Sequence, residues 1–177
     1  MLIAQLSDTH ITVPGQSAGN SYDKIQALKK SVHTINQLST APDAVIHTGD
    51  LVHNGEEEEY ILVKSILDRL GAPYFITCGN RDNAKKARKV FGPKISGEDD
   101  ADFMNFHVEL TNLTLVSIDT SSNTSNLGIL DFERLARLDK ILMSSTENPT
   151  LIFMHHPPVY VSSKEYKDFS FKLERHI

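Results

Sequence analysis

Four short segments bring together side chains able to hold a cation. They are Asp8-Thr9-His10, Gly49-Asp50, Gly79-Asn80-Arg81-Asp82 and His155-His156-Pro157-Pro158. In Asp8-x-His10 a period of two directs both side chains the same way if the backbone stays extended, so that they can share one cation. Asp50 carries two oxygens and can bridge two cations. Asn80 offers a neutral carbonyl oxygen and His155 an imidazole nitrogen. Mixed Asp/His/Asn ligation suits Mn, Fe, Co, Ni or Zn better than Ca, and the lack of Cys ligands argues against a structural zinc. Two such cations could clamp a phosphoryl group while lowering the pKa of a bound water.

Each segment also has an ordinary reading when taken alone. Asp8 can be a helix cap or turn residue, and Gly49-Asp50 is a common turn. Asn80 after Gly79 can be a left-handed turn, and the histidine pair before two prolines can be a rigid corner. The joint occurrence favours chemistry, because all four segments follow predicted strands. In an open α/β sheet, ligands bind beyond the carboxyl ends of the strands. His33 falls within a helix and His107 in a hairpin, so both are read as structural. His47 and His53 flank the Asp50 turn, either supporting the site or merely exposed.

The elements that must position these turns alternate along the chain. Residues 2–6, 44–48, 74–77 and 151–154 are predicted strands. Tyr22, Ile25, Leu28, Val32, Ile35 and Leu38 recur at helical spacing from Ser21 onward. The glutamates 56–59 suit the first turn of a helix running through Tyr60, Val63, Ile66, Leu67 and Leu70, with Gly71 as its stop. A short basic helix is expected over 83–91, and a hairpin over 103–110 and 113–118. A polar loop at 120–126 then precedes a helix carrying Leu135, Leu138, Ile141 and Leu142. This alternation argues for an α/β layered fold with a largely parallel central sheet.

Composition narrows the function classes. The chain has 177 residues, 40% hydrophobic and 23% charged, with one cysteine, Cys78, and a net charge of −5. It reads as a single domain able to bury a core. Its acidic balance disfavours a nucleic-acid polymer as partner. The basic cluster Lys85-Lys86-Ala87-Arg88-Lys89 and the acidic runs at 56–59 and 98–100 read as solvated faces. No apolar run reaches the roughly 20 residues that span a bilayer. The N-terminal segment lacks the pattern of a signal peptide, so no membrane association and a cytoplasmic location are expected.

In this order the motifs resemble the calcineurin-like metallophosphoesterases, above all the bacterial class III cyclic nucleotide phosphodiesterases and glycerophosphodiesterases. The resemblance runs from Met1 to about Pro158 and includes Pro42-Asp43-Ala44-Val45 and Glu58-Glu59-Tyr60. It implies a four-layer α/β/β/α sandwich holding two divalent metal ions (Mn, Fe, Zn or Co). Asp8 and His10 would bind one ion and Asn80 and His155 the other. Asp50 would bridge them, with His156 a neighbour rather than a ligand. It implies hydrolysis of a small phosphodiester, a cyclic nucleotide or glycerophosphodiester, by metal-bound hydroxide. A non-catalytic metal-binding remnant and a phosphomonoesterase are the competing readings.

Two departures stand out. Arg81 occupies the place of the family's usual histidine. An arginine cannot act as a general acid near neutrality, so it is expected to grip a phosphate oxygen. The family's closing G-H-x-H is absent, and His176 lacks its surroundings. The C-terminal part of the sandwich is therefore expected to be missing. Exposed sheet edges would follow, and with them possible homo-oligomer formation.

Overall fold

A computed structural model describes residues 1–15, 21–92, 103–122, 125–144 and 148–158. The 98–100 acidic run, residues 16–20 and the tail 164–177 with His176 lie outside the described residues.

The first half of the chain builds a parallel sheet with its crossover helices. β1 (Ile3–Leu6) pairs with β2 (Ala44–His47), and β2 with β3 (Tyr74–Ile76). Helices α1 (Ser21–Asn36), α2 (Glu57–Leu67) and α3 (Ala84–Phe91) follow the three strands in turn. The pleat sorts side chains between two interiors. Val45, Tyr74 and Ile76 join Leu28, Val32, Tyr60, Val63, Ile66 and Phe91 in the core beneath the helices. Ala44, Ile46 and Phe75 point the opposite way.

The second half builds another sheet. β4 (Phe106–Leu110) and β5 (Leu113–Ser117) form an antiparallel hairpin, and β6 (Thr150–Phe153) pairs parallel to β5. Phe106, Leu115 and Phe153 meet Ala44, Ile46 and Phe75 of the first sheet, closing an interior between the two. Helix α4 (Phe132–Ser144) lies on the outer face, with Arg134, Leu138 and Ile141 against Val116 and Ile118.

The largely parallel central sheet expected from alternation resolves into two sheets of three strands each, one parallel and one mixed. Local periodicity identifies strands, whereas long-range pairing decides which of them share a sheet. The four-layer arrangement implied by the resemblance is present. Helix α2 ends at Leu67 rather than running to Gly71, with Asp68 as its cap. The Gly71 amide donates to Asn36 Oδ1 at 2.9 Å instead of closing the helix. The basic cluster of α3 is engaged by the acidic start of α2, through Lys86–Glu56 at 2.6 Å and Lys89–Glu57 at 2.7 Å. Among the described residues no helix is long and apolar enough to cross a membrane.

Candidate metal centre

The carboxyl ends of β1 and β2 continue side by side beyond the sheet. Asp8 N–H donates to Gly49 O, His10 N–H to Asp50 O and Ile11 N–H to Leu51 O, each at 3.0 Å. These turns are not extended. Asp8, His10 and Asp50 have φ of 55°, 43° and 51°, and they are the only non-glycine residues with positive φ among those described. Left-handed backbone is uncommon outside glycine and marks functional positions when the surroundings enforce it. Asp8 and His10 therefore converge through two left-handed residues, not through the strand period anticipated for them.

Asp50 is the hub. It is buried, and its two oxygens face different side chains. Oδ2 lies 3.5 Å from His10 Nε2, which is 3.8 Å from Asp8 Oδ1. Oδ1 lies 3.7 Å from His155 Nε2, which is 3.2 Å from Asn80 Oδ1. Asp8, Asp50 and His155 each offer an atom within 4.8 Å of the others. The Arg81 backbone N–H donates to Asp50 Oδ1 at 2.9 Å and fixes the carboxylate. The Arg81 side chain is exposed at this rim. His155 arrives from the second sheet, so both sheets contribute.

The donor chemistry fits divalent cations. His155 Nδ1 is 2.9 Å from the Thr48 carbonyl, which can only accept, so Nδ1 carries the proton. In the neutral ring Nε2 is then a lone pair facing the carbonyl oxygen of Asn80 and a carboxylate oxygen. With Nε2 3.2 Å from the Asn80 oxygen and 3.7 Å from the Asp50 oxygen, a divalent cation would be held by all three. The bond from Nδ1–H to a carbonyl is also how a metal-ligating histidine is held in orientation. Burial lowers the pKa of His10 against the pull of the Asp50 and Asp8 carboxylates, which keeps its ring available as a neutral ligand.

The close approach of the turns requires glycine twice. Gly49 has φ +102°, and a Cβ there would lie 2.6 Å from Gly79 N and 2.8 Å from His155 Nδ1. A Cβ on Gly79 would lie 2.5 Å from Asp50 N and inside its carboxylate.

The structure thus brings Asp8, His10, Asp50, Asn80 and His155 together and places Arg81 beside them. His156 is not among them. It is buried, with Nδ1 at 2.8 Å from Thr120 Oγ1 and Nε2 at 3.1 Å from Asn126 O, and burial lowers its pKa to about 4. His33 and His107 are exposed, away from the site. His47 is not exposed but buried, and burial lowers its pKa to about 3. His53 stacks edge-on against His10, with ring centroids 5.8 Å apart.

Sequence reasoning assigned no role to Asp82. Its carboxylate accepts from the backbone amides of Gly79 at 2.9 Å, Leu51 at 3.1 Å and Val52 at 3.3 Å, and from Tyr60 Oη at 3.3 Å. It laces the Asn80 turn to the Asp50 turn. Burial pushes its pKa up to about 7 against the pull of those amides. The signal was its place two residues after Asn80, at the end of the third motif. Ser7 is another supporting residue, donating from its hydroxyl to Asp8 Oδ2.

Known proteins resemble this chain over most of its length. Residues 1–176 match the family described as calcineurin-like phosphoesterase. The chain is 35% identical over 161 residues to a probable glycerophosphodiester phosphodiesterase GpdQ of Arcobacter nitrofigilis, covering 91% of this chain and 59% of that protein. It is 25% identical to the 3′,5′-cyclic adenosine monophosphate phosphodiesterase CpdA of Pseudomonas aeruginosa, covering 92% of this chain and 57% of that one. The chain thus spans under two thirds of the length of these relatives. A purple acid phosphatase from yellow lupin seeds shares the fold at a TM-score of 0.60 and 14% identity, over 93% of this chain and 32% of that one. With its motifs in order, their polar side chains gathered around Asp50 and nearly its whole length matched, the chain belongs to the calcineurin-like phosphoesterase family.

Proposed function

We propose that this protein is a metal-dependent phosphodiesterase acting on a small diester, a glycerophosphodiester or a cyclic nucleotide. The observation that carries the reading is the division of ligands across the Asp50 carboxylate. His10 lies toward Oδ2 and Asn80 and His155 toward Oδ1, while Asp8 is 3.8 Å from His10 and offers an atom within 4.8 Å of Asp50 and His155. Two divalent cations, Mn, Fe, Zn or Co, would supply Lewis acidity toward the phosphoryl oxygens and lower the pKa of a bound water.

The chain's own residues hold and orient. Asp50 fixes the separation of the two ligand groups, and Asp82 and the Arg81 amide keep its turn in place. The Arg81 guanidinium presents a two-pronged donor for a phosphate oxygen and neutralises charge developing there. The names of the relatives support a diester, and the acidic balance of the chain disfavours a polymer. We read residues 1–177 as one domain of a cytoplasmic protein whose sheet edges can pair with a second copy.

Chelator-stripped protein tests the proposal on bis(p-nitrophenyl) phosphate, a glycerophosphodiester and a cyclic nucleotide. Turnover is expected only after divalent metal is restored, with the diester cleaved faster than p-nitrophenyl phosphate. Folded protein without turnover under Mn, Fe, Co or Zn would overturn the reading in favour of a metal-binding remnant. In the same assay Arg81→Ala is expected to raise KM for the diester by roughly tenfold, the loss of one charge-assisted phosphate contact. Unchanged kcat and KM would remove Arg81 from the site.

A further inference from the structure

His47 is the last residue of the central strand β2, in register with Leu6 on one side and Ile76 on the other. It is 2% exposed. An aliphatic side chain would serve the packing of such a position, as Val45 and Ile46 do on the same strand. The imidazole instead makes a polar bond at each ring nitrogen. Gly49 N–H donates to Nδ1 at 3.3 Å, and Nε2 lies 3.1 Å from Thr9 Oγ1. Thr9 Oγ1 in turn donates to the Leu51 carbonyl at 2.8 Å.

Donor counting leaves one arrangement. The threonine proton goes to Leu51, so Nε2 must donate to Thr9, and Nδ1 must accept from Gly49. A single neutral tautomer satisfies every partner. One buried ring therefore grips the hydroxyl that stands between Asp8 and His10 and the amide that immediately precedes Asp50. These two turns hold all three left-handed non-glycine residues among those described, a conformation that persists only when its surroundings over-determine it.

We propose that His47 and Thr9 form a positioning pair that sets the spacing of the Asp8–His10 turn against the Asp50 turn, and thereby the affinity of the site for divalent cations. The inference rests on the metal-site reading above and adds to it residues that touch no cation. Groups that orient metal ligands typically govern 10–100-fold in affinity.

The test is calorimetric titration of Mn into the chelator-stripped chain, alongside its thermal midpoint without metal. His47→Leu and Thr9→Val are each expected to weaken Mn binding by about 10–100-fold. The double variant should lose little more than either single one, because both break the same chain of bonds. Thr9→Ser, which keeps the hydroxyl, should restore binding to near the parent value. A purely packing role would lower the metal-free midpoint of His47→Leu and leave Mn affinity at the parent value in every variant, and that result overturns the inference. If His47→Leu does not fold, Thr9→Val decides, since Thr9 is only half-buried. A parent chain that binds no divalent cation would overturn the functional reading and this inference together, which differs from variants that match a binding parent.

Discussion

Asp50→Asn is expected to bind Mn at least about 100-fold more weakly than the parent and to hydrolyse a phosphodiester at least roughly 1,000-fold more slowly. The rate figure corresponds to about 4 kcal/mol of transition-state stabilisation, within the several kcal/mol that bound cations supply. The loss is electrostatic and geometric. Asparagine keeps one carbonyl oxygen but replaces the other oxygen with an amide that cannot accept. The retained oxygen can still take the Arg81 amide on the His155 side. The His10 side, 3.5 Å from the lost oxygen, then faces a donor where a cation needs an acceptor. Asparagine also tolerates the left-handed conformation at φ 51°, which alanine does not, so the substitution tests ligation without adding backbone strain. Calorimetry with Mn and turnover of bis(p-nitrophenyl) phosphate provide the measurements. An Asp50→Asn protein with parental affinity would show that the two ligand groups do not depend on a shared carboxylate.

Gly79→Ala is expected to cost about 2–3 kcal/mol of stability in urea denaturation, the upper range for a methyl forced into filled space. Mn binding should fall with it. The added carbon would meet the Asp50 amide at 2.5 Å and overlap its carboxylate, so relief requires moving the turn that carries the hub ligand. The Asp50 amide is backbone, and the carboxylate is buried and held by the Arg81 amide, so neither yields freely. Gly71→Ala is the control: its nearest atom, Asn36 Oδ1, is 3.6 Å away, and no positive φ constrains it. That variant should stay within about 0.5 kcal/mol of the parent and bind Mn normally. Equal behaviour of the two variants would show that contact between the Gly79 and Asp50 turns is unimportant.

Most of the side chains that meet at this site were legible in the sequence because the chemistry lies in residue types at strand ends. Asp8, His10, Asp50, Asn80 and His155 each follow a short apolar run. The topology of an α/β fold delivers such positions to one edge of the sheet. The helices were readable for a similar reason, since their apolar spacing is local. Asp82 and His47 were harder. Asp82 is marked only by its place in the third motif and His47 only by lying at a strand end, and the partners that reveal their roles, Tyr60, Leu51 and Val52 for Asp82 and Thr9 for His47, lie 22 to 38 residues away.

By itself the sequence determined the kinds of atom available to the site, the order of the elements and the α/β class, because these follow from side-chain chemistry and short periodicities. Only the tertiary structure decided that the strands divide between two sheets, with Ile46, Phe75, Leu115 and Phe153 packed between them. It alone decided that the two oxygens of Asp50 look toward different histidines, His10 and His155. Such facts depend on contacts between residues as distant as 50 and 155, whose relative placement comes from packing and from left-handed turns enforced by their neighbours. No local pattern encodes them, because the same residues on a differently paired sheet would never meet.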